Sequence, residues 1–433
     1  MNSKFTTTAL AVSVAAGLAS GVAQGAGFAL IEQSASGMGN AFAGAAATAE
    51  DASTIFFNPA GLAKLKGSQF AAAGHYIVPS IHFSNNGSSA SPGAITTLGG
   101  EGGDAGSGAL VPNGYFSMAL NDLWTVGVGV NAPFGFKTEY DSNWVGRFQG
   151  IKSDIKTFNI NPSVALKVSD ALSLGFGLSY QRLKAELTNK ISGATINGAF
   201  AGQEFGSSLS ADDTAWGYNM GILAQAGESV QIGASYRSKL KYKLDGTVTI
   251  SAPSAGAVTT AALLSGPSTA DLTLPDSFAF SVTYSVTERT KLLWDITYTH
   301  WSDIQNLAVI NSTNGATRET LVLKFNDTYR YSFGVNHQCT DRFTAKVGVA
   351  LDQSPADDSN RTVRLPDNDR TWLSLGGKWR LSDSAALDFG YAHLFLKDAP
   401  INQTRGIAAA YGRVAGDYSG KIDILSIQYA QSF

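Results

Sequence analysis

The sequence predicts an all-β protein: a transmembrane antiparallel β-barrel of about 14 strands built around a small-residue N-terminal stretch. Three observations support this fold class. Apolar side chains alternate with small or polar ones over most of the chain. Only 15% of the residues are charged, while the chain contains 47 glycines and 10% aromatic residues. Short polar turns alternate with long loops, which is typical of bacterial outer-membrane barrels.

The composition argues against several classes of protein. The charged fraction is well below the roughly one quarter that is usual for soluble proteins. With 31 Lys and Arg against 34 Asp and Glu, the net charge of -3 indicates neither a nucleic-acid partner nor a polyacidic one. Cys339 is the only cysteine, so the chain forms no internal disulfide and no metal site built on several thiolates. After the first residues, no apolar run reaches the length of a membrane helix.

Residues 1–25 have the pattern of a secretory signal peptide. Lys4 supplies a positive charge, residues 9–18 form a short apolar run, and Ala23 and Gly25 are the small residues that a cleavage site needs. We expect the mature chain to begin at Ala26. An N-terminal membrane anchor is the alternative, but the apolar run is too short and too rich in alanine to span a bilayer.

The mature chain divides into an N-terminal stretch, residues 26–68, and a wall, residues 69–433. Gly and Ala recur in the stretch, which lacks the alternation of a strand. In the wall, one set of alternating side chains is apolar enough for lipid and the other is small or polar, as a lumen requires. The predicted lipid-facing sets include Phe158, Ile160, Pro162, Val164, Leu166 and Val168; Leu172, Leu174, Phe176, Leu178 and Tyr180; Tyr329, Tyr331, Phe333 and Val335; and Leu425, Ile427, Tyr429 and Phe433.

The lengths of the connections predict the topology. Short turns lie near residues 121–122, 169–171, 227–229, 285–289, 338–341 and 382–384. Longer loops lie near 84–109, 142–150, 190–213, 246–271, 311–318, 353–369 and 397–418. These connections make fourteen strands, and an even number places both termini in the periplasm. The terminal Phe433 resembles the assembly signal of such barrels; an ordinary edge strand of a soluble protein is the alternative.

Short motifs in a fixed order carry a family resemblance. They are Ala26-Gly27-Phe28, Ser36-Gly37-Met38-Gly39, Glu50-Asp51-Ala52, Asn58-Pro59-Ala60, Tyr236-Arg237-Ser238, Leu274-Pro275-Asp276, Tyr298-Thr299-His300-Trp301-Ser302 and Pro366-Asp367-Asn368-Asp369-Arg370. The whole mature chain resembles the FadL/TodX family, outer-membrane transporters of long-chain fatty acids and other hydrophobic compounds. The resemblance implies a fourteen-stranded barrel whose lumen is closed by an N-terminal hatch. It also implies capture of the ligand at the outer surface, an interior pocket beside the N terminus, and sideways release through a gap made by a kinked third strand.

Two places in the stretch match the hatch of that family. Phe28 corresponds to a phenylalanine that contacts the ligand, and with Leu30 and Ile31 it forms an apolar cluster. Simple packing of the hatch is the alternative for Phe28. The motif Asn58-Pro59-Ala60 predicts a turn in which the asparagine accepts local backbone hydrogen bonds. We expect this turn to take part in gating.

The predicted third strand contains a reason for a lateral opening. It runs into Pro133, Phe134 and Gly135. Proline donates no ladder hydrogen bond, and glycine permits the backbone angles of an inward bulge. The alternative is that Pro133 lies at the outer rim, where strand pairing is ending.

A fatty-acid carboxylate calls for a cation in the lumen, and four residues are candidates. Lys324 lies two residues before Asn326, which aligns with a family lysine, and in a strand that spacing keeps the same face. Lys190 lies one residue beyond the position of a family arginine. Arg237 and Arg330 point into the lumen by alternation, although lumen arginines often pair with acids instead. An uncharged aromatic or alkane ligand would need no such cation.

The sequence gives no support for an enzymatic function. The five histidines are scattered without metal-ligand spacing, and no Gly-x-Ser-x-Gly motif occurs. We therefore expect no catalytic residue, no metal and no cofactor.

The sequence predicts a transporter for passive uptake of hydrophobic compounds, above all long-chain fatty acids, across the outer membrane. A channel for uncharged hydrocarbons, a general porin, a barrel lipase and an adhesin or phage receptor are the alternatives. The expected partners are a hydrophobic small molecule, outer-membrane lipid and lipopolysaccharide, and the barrel-assembly machinery. We expect a monomer without a nucleic-acid partner.

Overall fold

A computed structural model describes residues 27–90, 98–404 and 411–433, so the predicted signal peptide and Ala26 lie outside the described residues. The α-helices are α1 (Ala35–Met38), α2 (Thr54–Phe57), α3 (Gly193–Ile196) and α4 (Val258–Leu264), and the 3-10 helices are Pro59–Lys64, Gly198–Phe200, Ala255–Ala257 and Trp301–Asp303. The strands are β1 (Ser68–Asn85), β2 (Ala109–Ala119), β3 (Trp124–Asn131), β4 (Gly135–Glu139), β5 (Lys152–Lys167), β6 (Leu172–Ser192), β7 (Glu204–Ala226), β8 (Val230–Arg237), β9 (Leu240–Ser251), β10 (Gly266–Leu274), β11 (Ser277–Thr287), β12 (Thr290–Thr299), β13 (Asn306–Asn311), β14 (Thr317–Val322), β15 (Thr328–Gln338), β16 (Phe343–Asp352), β17 (Arg370–Arg380), β18 (Ala385–Leu396), β19 (Ala399–Thr404) and β20 (Arg413–Ser432).

Fourteen of these strands form a closed antiparallel ring, which confirms the predicted fold class. Around the ring the order is β1, β2, β3, β5, β6, β7, β8, β11, β12, β15, β16, β17, β18 and β20. The last strand pairs with the first, from Gln69 opposite Ser432 to Asn85 opposite Gly416. Closure removes the open edges that a sheet would otherwise present. The other strands extend the wall: β4 follows β3, β9 and β10 pair beyond β8 and β11, β13 pairs with β14, and β19 pairs with β20.

The side chains of the wall follow the predicted alternation. The exposed outer face carries large apolar and aromatic residues, including most residues of the predicted sets on β6, β15 and β20; Leu172 and Val335 of these sets are half-buried. The inner face carries buried serines and asparagines such as Ser163, Ser179 and Asn219. Because both faces are specified residue by residue, a slip of one position would turn every side chain to the wrong side. This pattern fixes the register of the barrel.

Several predicted loops are partly strand, and the one expected at 397–418 contains β19 and the start of β20. The expected loops at 190–213 and 246–271 overlap β6, β7, β9 and β10, and β6 and β7 stay paired from Leu172 opposite Ala224 to Ser192 opposite Glu204. The physical reason is that alternation continues: Leu183, Leu187 and Phe205 stay buried on the inner face. The wall is therefore tallest on this side.

Residues 27–67, here called the N-terminal segment, contact the wall at many points around the ring. Helix α1, helix α2 and the 3-10 helix Pro59–Lys64 belong to this segment. Among the described residues, no helix has the length and apolar character needed to cross a membrane. At several wall glycines an added Cβ would clash with the segment; these contacts are Gly175 with Pro59 and Ala60, Gly221 with Asn58, Gly233 with Ala46, Gly348 with Asn40, and Gly390 with Met38.

Candidate functional site

The third strand of the ring is broken by a bulge. Strand β3 pairs with β5 as far as Asn131 opposite Asn159, and pairing resumes in β4 with Gly135 opposite Lys156. Three residues, 132–134, thus stand opposite two, 157–158, which is the pattern of a β-bulge. The Thr157 hydroxyl accepts a bond from the Phe134 amide at 3.0 Å and donates to the Phe134 carbonyl at 2.5 Å. The structure therefore has an irregularity where Pro133 predicts one.

The bulge opens a gap between neighbouring wall strands. The last pair joining β2 to β3 is Gly114 opposite Val130. Beyond it, β2 continues to pair with β1, with Ala109 opposite Ile77, whereas β4 pairs with β5. In the described part of the chain no ladder joins this half of β2 to β4. The wall lacks backbone pairing here.

The N-terminal segment pairs with the free side of the bulge. The Leu30 amide donates to the Pro133 carbonyl at 2.8 Å, and the Gly135 amide donates to the Phe28 carbonyl at 2.8 Å. An isolated antiparallel bridge therefore joins Ala29 to Phe134. These bonds satisfy backbone groups that a continuous ladder to β2 would have satisfied.

Phe28 packs in an aromatic cluster next to the gap. Its ring centroid lies 4.9 Å from that of Trp301, 6.0 Å from Phe134 and 5.8 Å from Phe136. Such tilted and edge-on pairs are favourable aromatic geometries. The structure thus brings the predicted ligand-contacting residue and the predicted lateral opening into direct contact.

A cavity lies beside this cluster. It encloses about 1040 Å³ of empty space, counting its mouth. Its lining is mainly apolar and aromatic, with a few polar groups, as is usual for sites that bind small molecules. The lining includes Ala29, Leu30 and Ile31 of the N-terminal segment, Pro133 and Phe134 of the bulge, Trp301, Trp372, Arg237 and Arg330. Phe28 lies behind Phe134 and Trp301.

Arg330 is a buried cation of the cavity, and the carboxyl-bearing Asp352 lines the same cavity. Arg330 is 7% exposed, and its Nη2 donates to the Ala41 carbonyl at 3.0 Å. Its guanidinium carbon lies 5.0 Å from the centre of the Trp372 ring. Its Nε and Nη1 are buried and have no hydrogen-bond partner among the described residues. Buried donors without partners are costly, so an anionic acceptor in the cavity would be favoured here.

Arg237 lines the same cavity but has closer partners. Its Nη2 donates to the Phe56 carbonyl at 2.8 Å, and its guanidinium lies 4.3 Å from the centre of the Phe56 ring. Its Nη1 approaches the Ser179 hydroxyl at 3.4 Å. Arg237 therefore ties β8 to helix α2, and both lumen arginines predicted by alternation reach the cavity.

Lys324 and Lys190 lie elsewhere. The expectation that Lys324 belongs to a strand is wrong: β14 ends at Val322 and β15 begins at Thr328. The φ of Lys324 is 44°, a left-handed conformation that ends the alternation, and its side chain is exposed. Lys190 is half-buried at the end of β6, on the alternation that carries the exposed Arg182 and Lys184. Neither lysine lines the cavity.

The motif Asn58-Pro59-Ala60 is a fixed turn. The Asn58 side chain is fully buried, and its Oδ1 accepts from the Ala60 amide at 3.0 Å, as the sequence predicts. Its Nδ2 donates to the carbonyls of Ala46 at 2.6 Å and Ile222 at 2.9 Å. Asn58 thus joins two parts of the N-terminal segment to strand β7.

Charged groups hold the segment from another side. Glu50 Oε2 lies 2.8 Å from both Lys346 Nζ and Lys378 Nζ, and Lys346 also donates to the Ser36 carbonyl at 2.8 Å. Burial alone would raise the pKa of Glu50, but the two ammonium groups outweigh it and hold the pKa well below its ordinary value. Asp388 Oδ1 lies 3.7 Å from the same two ammonium groups.

Glu32 is a buried carboxyl beside the gap. Its side chain has no exposed surface, and neither carboxylate oxygen has a hydrogen-bond partner among the described residues. Burial raises the pKa of the Glu32 carboxyl to about 7, although Arg370 and Arg330 act in the opposite direction. Near neutral pH this carboxyl is therefore divided between its neutral and charged forms.

A second space, the outer chamber, lies at the long-loop end. Counting its mouth, it holds about 1250 Å³ of empty space, and its lining mixes apolar side chains with polar ones, including Asn189, Arg318 and Glu319. Leu187 and Ile191 of β6 and Val248 and Ile250 of β9 contribute to the lining. Part of this lining comes from the ends of β6 and β9, in stretches that the sequence predicts to be loops.

Three potential metal ligands also meet on the wall. The ligand atoms of Asp276, His300 and Asp303 lie within 4.8 Å of one another. The sequence spacing hides this trio because the pairing of β11 with β12, Ser277 opposite Thr299, brings distant positions together. Asp276 already accepts from the Tyr236 hydroxyl at 3.0 Å, and Asp303 lies 3.3 Å from Lys239 Nζ.

Several cavity residues escape sequence reasoning. Trp372 faces the lumen because it alternates with the exposed Leu373 and Leu375, a signal available in the sequence. Trp301 belongs to the motif Tyr298-Thr299-His300-Trp301-Ser302, whose sequence indicates no contact with a cavity. Asp352 reaches the cavity from the end of β16.

Comparisons with known proteins agree with this geometry. Residues 16–433 match the family described as outer membrane protein transport protein (OMPP1/FadL/TodX). Outer membrane protein P1 of Haemophilus influenzae is 32% identical over 437 residues, 93% of each chain. The long-chain fatty acid transport protein of Escherichia coli K12 is 30% identical over 434 residues, 92% of this chain and 94% of that one.

Two solved structures share the fold. A FadL homologue from Pseudomonas aeruginosa superposes with a TM-score of 0.87 at 24% identity and covers 94% of this chain and all of its own. The toluene transporter TodX of Pseudomonas putida has a TM-score of 0.66 at 15% identity, with 94% and 100% covered.

Proposed function

We propose, from the premise that the chain belongs to the outer membrane protein transport family (OMPP1/FadL/TodX), that it takes up long-chain fatty acids. Membership makes the chain an outer-membrane transporter of fatty acids or hydrocarbons and not an enzyme. The fatty acid as substrate, the hatch and the lateral route are our proposals.

Arg330 carries the choice of substrate. A long-chain fatty acid combines an apolar chain with a carboxylate, and the cavity combines apolar walls with two unpartnered guanidinium donors. Charge-assisted hydrogen bonds from arginine to a carboxylate are among the stronger polar contacts in proteins. A toluene-like ligand would leave those donors buried and unsatisfied.

We propose that the N-terminal segment is the hatch and that Asn58-Pro59-Ala60 takes part in its movement. The supporting observation is that the segment touches wall strands around the ring and lines the cavity. Phe28 packs behind the cavity-lining Phe134 and Trp301, and Phe134 belongs to the bulge, so displacement of Phe28 would disturb both the cavity and the bulge.

The proposed route has three steps. The outer chamber first captures the fatty acid. The fatty acid then moves to the cavity as the hatch rearranges, and it leaves the barrel through the gap between β2 and β4. Transfer of each methylene to an apolar environment is favourable by roughly 0.8 kcal/mol, so release into the bilayer core needs no pump.

The remaining proposed partners follow from the surface. The apolar outer face suits outer-membrane lipid and lipopolysaccharide, and the exposed terminal Phe433 suits recognition by the barrel-assembly machinery. We propose a monomer. An adhesin or phage receptor would work through its loops and would be indifferent to changes in the cavity.

Ligand binding tests the proposal. With purified protein, Arg330→Ala should weaken oleate binding by roughly 10- to 100-fold, the scale of a hydrogen bond to a charged group, and leave toluene binding unchanged. Lys324→Ala, which removes an exposed cation outside the cavity, is the matched control and should bind oleate like the wild type.

Other outcomes decide against parts of the proposal. Binding of toluene without binding of oleate would favour the hydrocarbon channel. Equal oleate affinity of Arg330→Ala and wild type would remove the arginine from the site. Failure of the wild type to bind either compound would defeat the transport reading.

A further inference from the structure

Gln33 lies at the gap between β2 and the bulge, and its side chain has no exposed surface. Its Nε2 donates to the Ala132 carbonyl at 2.9 Å and to the Leu30 carbonyl at 3.0 Å. Its Oε1 accepts from Nδ2 of Asn113 on β2 at 2.8 Å. One side-chain amide thus bonds both strands that border the gap.

These bonds stand where the ladder is missing. Ala132 is the first residue of the bulge, directly after the last paired residue of β3, and Asn113 directly precedes the last residue of β2 that pairs with β3. The Tyr115 hydroxyl also donates to the Gln33 carbonyl at 2.9 Å, which fixes the backbone of Gln33 to β2. A residue of the N-terminal segment therefore replaces strand-to-strand pairing.

The same amide is connected to the cavity. Leu30, whose carbonyl accepts from Gln33, lines the cavity together with Ala29 and Ile31, and its amide bonds to Pro133. A ligand that displaces residues 29–31 would pull on the Gln33 contact through one hydrogen bond. The cavity and the gap are therefore connected through Leu30 and Gln33, in addition to Pro133 and Phe134 of the bulge, which line the cavity directly.

We propose that Gln33 is the bolt of the lateral opening: it holds β2 and the bulge together when the cavity is empty and releases them when a ligand displaces Leu30. This inference rests on the proposed function for its role in uptake. Closure of the gap by Gln33 is a property of the protein without ligand, so it is tested separately from uptake.

The central variant is Gln33→Leu, which keeps the approximate volume and removes all three side-chain hydrogen bonds. Hydrogen–deuterium exchange of the purified protein, followed in peptides covering 27–35 and 130–136, measures opening of the gap. We expect exchange in both peptides to become roughly 10-fold faster, the effect of losing about one net buried hydrogen bond. Exchange in β16 and β17 should stay at the wild-type rate.

A second variant separates hydrogen bonding from packing. Gln33→Glu keeps the size and the acceptor for Asn113; with its carboxyl ionised, at pH 8, it removes both donated bonds and places a charge against two carbonyl oxygens. It should open the gap at least as much as Gln33→Leu. Wild-type exchange in Gln33→Glu would reduce Gln33 to a packing residue and overturn the proposal.

Coupling and controls complete the test. Asn113→Leu combined with Gln33→Leu should accelerate exchange by less than the product of the two single effects, because both remove the Asn113–Gln33 bond, while Asn113 also donates to the Glu32 carbonyl at 3.1 Å. Gln231→Leu on β8 is the matched control and should leave both peptides unchanged. Additive effects of the two substitutions, or equal acceleration in β16 and β17, would also overturn the bolt.

Uptake shows whether the bolt serves transport. In cells, Gln33→Leu should take up oleate several-fold faster than wild type at low oleate concentration, because opening costs less. If wild type takes up no oleate, the proposed function fails. The exchange data still show whether Gln33 holds the gap closed. If wild type transports oleate and Gln33→Leu opens the gap without faster uptake, the role of Gln33 in transport is wrong.

Discussion

The Phe28 carbonyl accepts a hydrogen bond of 2.8 Å from the Gly135 amide, so Phe28 of the N-terminal segment is paired with the first residue of β4. The beginning of the N-terminal segment thus serves as a short strand on the open side of the bulge. One displacement of this segment would change the cavity wall and free the edge of β4 together.

The bulge itself should be necessary for release. Deletion of Pro133 removes the extra residue and lets alternation run unbroken from Asn131 through Phe134 to Phe136. We expect β3 and β4 to become one paired strand, and oleate uptake to fall by about 10-fold or more if the gap is the exit. Uptake by cells is the measurement, and unchanged heat-modifiable mobility in gels would show that the barrel still assembles.

Thr157→Val is the control for the deletion of Pro133, because it changes a contact of the bulge without removing the extra residue. It removes the hydroxyl that bonds the amide and carbonyl of Phe134 and keeps the bulge. Uptake should persist. Normal uptake after deletion of Pro133 would contradict lateral release.

Glu32 should make seating of the N-terminal segment depend on pH. Its pKa is about 7 when buried, against 4.5 in solvent. The seated state therefore holds the proton more tightly, so its stabilisation is complete below about 4.5 and is lost as pH rises through about 7. Protection of residues 27–35 from hydrogen exchange, corrected for intrinsic rates, should fall by roughly 10-fold between pH 6 and pH 8.

The Glu32→Gln variant isolates this effect, because it keeps the size of the side chain and does not titrate. Its protection should be flat over the same pH range. A slope equal to that of wild type would assign the pH dependence to another group.

A methyl group at Gly348 should prevent the N-terminal segment from seating. A Cβ there would overlap the backbone of Asn40, which has no room to retreat because Gly39 already touches Gly376. We expect Gly348→Ala to raise the ion conductance of single barrels in planar bilayers, since a displaced segment leaves open space in the lumen. Gly198→Ala, where a Cβ meets no atom within 4 Å, is the control. Equal conductance of both variants would contradict a filled lumen.

The inward and outward faces of the wall were predictable from the sequence because they depend only on neighbouring residues along each strand. Tyr329 and Tyr331 face outward and Arg330 faces inward for the simple reason that successive side chains of a strand point to opposite faces. The same rule failed for Lys324, where a left-handed residue outside any strand breaks the count.

The site was less predictable because it depends on distant pairings. Gln33 reaches Asn113 and Ala132 only after β2 and β3 pair and the bulge separates their ends, and no local pattern announces this. Asp276 and His300 meet through the register of β11 and β12 in the same way. Pro133 was the exception, since proline marks a missing ladder bond in the sequence itself.

The seat of the N-terminal segment has a consequence for the order of assembly. Gln428 on β20 holds both the Ala35 amide and the Asp51 carboxylate, while Gly233 on β8 and Gly348 on β16 receive the backbone of the same segment. Because Gln428 belongs to the last strand of the chain, its contacts with the segment require β20 to be in place. The part of the protein that is synthesised before the wall therefore cannot complete its own packing until the last residues of the chain have been inserted.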